Sequence, residues 1–331
     1  MRSAPVKHRW AGLLQAAVGI TLLAVLASWI DFGQAREILG RVGLTLVAIL
    51  LAMGLVDRCL MAFKWNGLLR AQGVSVSFLV CLRAYLVAGF VGSFLPSSVG
   101  GDVYRVYRIQ KATRHAATVA TSVVLERVIG FSVISCLAVV GLLYRWLAGG
   151  MVSDVLTGVV GLALILIMAA AVIAAIGVAL YRRGWAPERL RKGRLGGIAR
   201  ETGQALSRFR DRPRALVGFV LLTLIEQFLW MTMVFVGARG LGFPTSLVDT
   251  FSLLPPVMIL QRLPISVNAL GVMEGGYVLF FAIVGLSTTE SFSLALLMRL
   301  VIMTIDLASG LILVNEGLQA SRNDRARAGQ A

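Results

Sequence analysis

The chain has 331 residues, of which 58% are hydrophobic and only 15% charged, and its mean hydropathy is +0.83. A soluble core cannot hide that much apolar surface, so the secreted, disordered and coiled-coil classes drop out and a multi-span membrane protein remains. The net charge of +16 suggests nucleic acid at first sight, but 11 of the 32 Lys/Arg lie in residues 182–214; such clustering follows the positive-inside rule and attraction to anionic lipid, and no nucleic-acid partner is expected.

The apolar runs are continuous, as in 158–180, rather than alternating in polarity. That excludes a barrel and predicts an all-α polytopic helix bundle. The run 11–30 follows Arg2, Lys7 and Arg9 and is long for a signal-peptide core, so an uncleaved first span is expected. Further full spans are predicted near 42–63, 115–146, 155–181, 215–237 and 291–314. Two more apolar regions, 77–112 and 247–286, are broken in the middle. The first break runs Leu95-Pro96-Ser97-Ser98-Val99-Gly100-Gly101-Asp102. The second runs Leu263-Pro264-Ile265-Ser266 and continues to Leu270-Gly271-Val272-Met273-Glu274-Gly275-Gly276. Pro and Gly together stop helices, and irregular backbone survives at membrane depth only when buried in protein or lining a cavity. The chain at Pro96, Gly100, Gly101, Pro264 and Gly271 is therefore expected to be non-helical.

Charge parity sets the topology. If both broken regions enter and leave on one side, 23 of the 32 Lys/Arg lie on the cytoplasmic side, with both termini and 182–214. The cell membrane is the expected location. Within 182–214, Leu195, Ile198, Ala199, Thr202, Leu206 and Phe209 recur at helical spacing among arginines. This suits an amphipathic helix on the anionic cytoplasmic leaflet; a solvated basic loop is the alternative.

The two broken regions match each other. Arg70-Ala-Gln-Gly73-Val-Ser-Val-Ser77 resembles Arg239-Gly-Leu-Gly242-Phe-Pro-Thr-Ser246, and Asp102 precedes Arg127 by the same interval as Glu274 precedes Arg299. The whole chain, 1–331, reads as one membrane domain holding a first repeat over 40–146 and a second over 215–316. Because the repeats enter from opposite sides, their relation is an inverted-topology repeat, with a substrate site expected near the midplane.

Asp57, Arg58, Arg83, Glu126, Arg127, Glu226, Arg299 and Asp306 all fall inside apolar runs. Each would cost roughly 2.5–3.5 kcal/mol at a lipid-facing helix centre, so most must face one another or a wet cavity. Arg83, near a span end, is free to snorkel. Sequence neighbours point about 100° apart on a helix, so Asp57-Arg58 and Glu126-Arg127 need partners on other helices. Arg299 and Asp306, seven apart, share a face. Arg127 and Arg299 occupy equivalent repeat positions and form the expected fork-shaped anion site. Backbone N–H groups at Gly100, Gly101 and Gly271, with Pro96, Ser97, Pro264 and Ser266 around them, complete it. Asp102 and Glu274 organise the breaks, and Glu126 holds Arg127 or relays a proton.

Cys59, Cys81 and Cys136 lie in apolar runs without metal-ligand spacing and read as small buried hydrophobes. There are only two histidines and no Walker A pattern. No metal, cofactor or ATP hydrolysis is expected.

Phe94-Leu-Pro-Ser-Ser-Val-Gly-Gly-Asp102-Val-Tyr-Arg105, Glu126-Arg127-Val-Ile-Gly130 and Leu263-Pro-Ile-Ser266 with Leu270-Gly-Val-Met-Glu274-Gly275 resemble the transmembrane, flippase-like region of lysylphosphatidylglycerol synthases and its uncharacterised inner-membrane branch. The order and spacing hold over about 40–315. Family members often carry Pro-Gly-Gly where this chain has Val267-Asn268-Ala269, and a basic residue where it has Met273. The resemblance implies lipid translocation. The cytosolic domain that makes the aminoacyl-lipid is not expected in a chain ending at Ala331. The function expected is a flippase or scramblase for an anionic or polyprenyl-linked lipid, with membrane lipids as partners. The alternatives are a membrane enzyme acting on a lipid phosphate and a non-catalytic partner of an envelope enzyme.

Overall fold

The structure is a computed structural model, and it describes residues 7–94, 99–113, 115–149, 153–162, 164–166 and 213–328. Every regular element among them is helical. The elements are α1 (Lys7–Ala27), α2 (Phe32–Gly40), α3 (Leu44–Ala71), α4 (Phe78–Phe94), α5 (Val99–Thr113), α6 (Ala116–Leu147), α7 (Pro213–Gly240), α8 (Leu247–Arg262), α9 (Val272–Phe281) and α10 (Thr288–Ala328). A further apolar helix covers Asp154–Leu166, the described part of the span expected at 155–181. Residues 182–212 lie outside the described residues, and with them nearly all of the expected amphipathic segment.

Among the described residues, four helices are long and apolar enough to cross a membrane: Leu44–Ala71, Ala116–Leu147, Pro213–Gly240 and Thr288–Leu313. α1 covers most of the first expected span, 11–30. The chain then bends by 92° between Leu13–Ala27 and Phe32–Gly40, where α2 follows. Asp31 starts it by accepting a hydrogen bond from the Gln34 N–H at 3.0 Å, a side-chain cap that short polar residues supply.

Outward faces of the long helices carry large apolar side chains such as Leu55, Val124, Leu221, Ile225 and Leu300. In lipid such faces need no cover, so cohesion comes from close packing and polar contacts between helices rather than from the hydrophobic effect. The larger core joins Ile134 of α6, Met233 of α7, Leu253 and Val257 of α8, Tyr277 and Phe281 of α9, and Leu294 of α10. A second core joins Trp65 and Leu69 of α3, Cys81 and Tyr85 of α4, Ile109 of α5 and Val119 of α6. Cys81 is buried as expected, whereas Cys59 and Cys136 are exposed on the bundle surface, which corrects their reading as core residues. Arg83, at the solvent-exposed edge of α4, is exposed too.

The matched motifs fold alike. α3 stops where the Gly73 N–H donates to the Arg70 carbonyl at 3.0 Å and the Val74 N–H to Leu69 at 2.9 Å. α7 stops where the Gly242 N–H donates to Arg239 at 3.0 Å and the Phe243 N–H to Ala238 at 2.9 Å. Gly73 and Gly242 have φ of 84° and 85°, the left-handed conformation that a helix-terminating glycine supplies without a Cβ penalty.

Both broken regions are pairs of helices. In the first, α4 and α5 pack so closely that a Cβ on Gly101 would lie 2.5 Å from the Ala88 carbonyl oxygen. Gly100 and Gly101 are nevertheless in the first turn of α5, which corrects their expected non-helical state. With nothing but hydrogen on its Cα, Gly101 lets α5 approach α4. Pro96 and Ser97 lie outside the described residues. The second break is as expected at Pro264 and Gly271: α8 ends at Arg262, and α9 begins at Val272 after a single 3-10 turn over Val267–Ala269. The N-terminal helix covers this break, with the Gln15 side-chain amide donating to the Pro264 carbonyl at 3.0 Å.

Candidate functional site

Helices α3 to α8, the second break and α10 surround a cavity of about 1490 Å³. Gly101, Asp102, Glu126, Arg127, Pro264, Ser266 and Arg299 line it. Gly100, Gly271 and Glu274 stand behind that lining rather than in it. Arg299 and Asp306 share the cavity face, as their spacing requires.

The first repeat builds its wall around Arg105. That residue sits one turn beyond Asp102 on α5, so both side chains fall on one helix face. Arg105 donates from Nη2 to Asp102 Oδ1 at 2.6 Å and from Nη1 to Glu126 Oε2 at 2.9 Å. Its guanidinium stacks 4.3 Å from the Tyr85 ring centre and 4.9 Å from that of Trp65. The Tyr85 hydroxyl also donates to Glu126. Glu126 therefore holds Arg105, not Arg127, which corrects its expected partner: adjacent side chains on α6 diverge, while α5 lies directly across. Arg127 instead donates from Nε to Asp102 Oδ2 at 2.9 Å, and its side chain keeps 48% of its exposure.

The second repeat has the corresponding acid–arginine pair. Arg299 donates from Nε and Nη2 to both Glu274 oxygens, and to the carbonyls of Asn268 and Ala269 at 3.4 and 3.2 Å. Glu274 in turn accepts from the Gly271 N–H at 2.8 Å and caps α9. Asn268 and Ala269 have φ of 49° and 52°, a costly conformation for residues with a Cβ. The arginine fork pins the two carbonyls that this backbone presents, and the Arg299 side chain retains only 10% exposure. Ser266 closes the same turn by donating to the Leu270 carbonyl at 2.8 Å.

Two more pairs tie distant helices across the cavity. Lys64 of α3 donates to Glu226 of α7. Arg58 of α3 donates to Asp306 of α10 at 3.2 Å, and Ser93 of α4 donates to the same carboxylate at 3.1 Å. Arg58, Lys64, Arg105 and Arg127 thus each reach an acid on another helix, which removes most of the cost of placing these pairs in an apolar layer. Outside the cavity, Arg145 of α6 pairs with Asp249 at 3.3 Å.

Arg105, Lys64 and Arg262 were not singled out by the sequence. Arg105 sits in a basic stretch with Arg108 and Lys111 that reads as a cytoplasmic helix end, yet it is almost fully buried. The available signal was its i+3 spacing from Asp102.

Residues 13–310 match the model of the Lysylphosphatidylglycerol synthase TM region family. The chain belongs to this family. A UPF0104 membrane protein of Pyrococcus horikoshii is 20% identical over 154 residues, which cover 46% of this chain and 46% of that protein. No solved structure matches. As a member of the Lysylphosphatidylglycerol synthase TM region family, the chain is a multi-pass membrane protein, and the motifs that carried the resemblance contribute Asp102, Arg105, Glu126, Arg127, Pro264 and Ser266 to its cavity.

Proposed function

We propose that the chain is a flippase or scramblase-like protein that moves an anionic or polyprenyl-linked lipid across the cell membrane without ATP hydrolysis. The observation that carries this reading is the cavity of about 1490 Å³, charged inside and walled by apolar membrane helices. A cavity of that kind suits an amphiphile whose head needs a polar path while its tails stay in lipid. Half-exposed Arg127 is the better placed arginine to meet a head group. Arg299, committed to Glu274 and two carbonyls, holds the second break in shape. The matched helix stops and acid–arginine pairs support a repeat, and opposite insertion of its halves would place the site at the midplane, with both termini and 182–214 cytoplasmic.

The test is reconstitution of the purified full chain in liposomes holding a head-group-labelled anionic lipid. Transbilayer movement with no change in lipid mass supports the proposal. A new lipid species by mass spectrometry, without movement, would replace it with a membrane enzyme.

A further inference from the structure

Among the described residues, the cavity's cations are matched one by one. Arg58 has Asp306, Lys64 has Glu226, Arg105 has Asp102 and Glu126, Arg127 has Asp102, and Arg299 has Glu274. Arg262 is the exception. It lines the cavity at the last residue of α8, and no hydrogen bond or ion pair to a described residue engages it. Its Nη1 lies 3.5 Å from where a Cβ on Gly130 would project, one turn along α6 from Arg127. The acids Glu226 and Glu126 line the same cavity, and both are already engaged, by Lys64 and Arg105. A cation in a helix's last turn is favoured by the helix dipole, but its five-donor fork faces the cavity without a partner among the described residues.

A second observation points the same way. Three buried polar atoms in the lining have no hydrogen-bond partner: Gln261 Nε2, next to Arg262; Gln227 Oε1, next to Glu226; and Arg58 Nε. Gln227 is 1% exposed. Buried polar groups in native proteins are nearly always satisfied, so orphans gathered in one cavity mark where a polar ligand belongs. Two of the three are donors, and they share the cavity with an unmatched guanidinium. That set is complementary to an acceptor-rich single negative charge. The lone acceptor, Gln227 Oε1, would take a hydroxyl beside it.

We infer that Arg262 anchors a singly charged phosphate group in this cavity, with Gln261 as a supporting donor. This rests on the proposed lipid reading for the source of the phosphate, a phosphodiester head, but the chemistry applies equally to free phosphate. The more buried pairs, Arg58–Asp306, Lys64–Glu226, Arg105–Glu126 and Arg299–Glu274, are then framework, and Arg262, at the break-facing end of α8, recognises charge beside half-exposed Arg127.

The test uses the purified full chain in detergent, with thermal unfolding followed against added phosphatidylglycerol, diacylglycerol (similar tails without phosphate) or inorganic phosphate. Binding to the folded state stabilises it by RT ln(1 + L/Kd) at free ligand concentration L, so the melting temperature rises with the logarithm of ligand concentration above Kd. Phosphatidylglycerol should protect the parent chain and diacylglycerol should not. Arg262→Gln should weaken that protection by at least on the order of thirty-fold in concentration, and Arg262→Lys should weaken it less. Because Arg262 has no carboxylate to abandon, Arg262→Gln should melt no lower than the parent without ligand; Arg41→Gln serves as the remote control. Equal protection of parent and Arg262→Gln by phosphatidylglycerol would overturn the assignment and leave the lipid reading intact. Protection by inorganic phosphate alone, lost in Arg262→Gln, would support the anion site and end the lipid reading. Protection by neither ligand would overturn both.

Discussion

Replacing Arg105 with Gln should be among the most damaging single changes in the chain. Arg105 bridges Asp102 and Glu126 at 2.6 and 2.9 Å and lies against two aromatic rings. Its loss leaves Glu126 buried with the Tyr85 hydroxyl as its remaining direct partner. Stranding one member of a buried pair costs about 3–5 kcal/mol, and losing the ring contacts adds about 0.5–2 kcal/mol. Asp102 keeps Arg127, so that carboxylate adds little. Glu126→Gln on top of Arg105→Gln removes the stranded charge and should restore about 1–3 kcal/mol, the range for coupled neighbours. Arg105→Lys should fall between, because one ammonium cannot span both carboxylates as the fork does. The assay is thermal unfolding in detergent, monitored by tryptophan fluorescence and by yield of monodisperse protein. Breaking the exposed Arg41–Glu37 pair on α2 should cost at most about 1 kcal/mol and sets the baseline. An Arg105→Gln protein that melts with the Arg41→Gln control would refute the argument that this network holds α4, α5 and α6 together.

Arg299→Lys should free the Asn268 and Ala269 carbonyls and loosen the second break; proteolysis or hydrogen exchange should localise the change to 263–271, and protection equal to the parent would contradict the tether. Gly73→Ala and Gly242→Ala should each destabilise by about 1–2 kcal/mol, the cost of a Cβ at positive φ; melting should show similar losses at both stops, and a loss at one only would weaken the case that they are equivalent. Single cysteines placed in 182–214, in a chain freed of Cys59 and Cys136, should resist a membrane-impermeant thiol reagent in intact cells; ready labelling would reverse the proposed orientation.

The helices and both interruptions were legible because continuous apolar runs and Pro/Gly clusters act locally. The state of Gly100 and Gly101 was not, since glycine marks a helix break and a tight helix contact with the same letter; only the neighbour, here Ala88 of α4, separates the two. The charges at 57–58, 126–127, 226, 299 and 306 were legible as an intramembrane set. Their pairing was not: whether Glu126 meets Arg127 or Arg105 depends on which helix lies across from α6. Lys64 and Arg105 sit near span ends, where basic residues ordinarily meet the cytoplasm, so their burial had no local signature. Arg262 closes α8 in a position that reads as a routine C-terminal cation.

The long-range pairs also set an order of events during synthesis. Arg105 meets Glu126 after 21 further residues, but Lys64 waits 162 residues for Glu226 and Arg58 waits 248 for Asp306. At roughly 5–20 residues per second, α3 is made roughly 8–32 s before one counter-charge and roughly 12–50 s before the other. During that interval Arg58 and Lys64 have only Asp57 on the same helix against them, so α3 does not settle among the lipids by itself. The insertion machinery must retain α3, or let it slide toward the water, until α7 and then α10 arrive. A nascent chain arrested after Gly240 would have Lys64 matched and Arg58 still waiting, and cross-linking of α3 to the translocation channel should persist until α10 emerges.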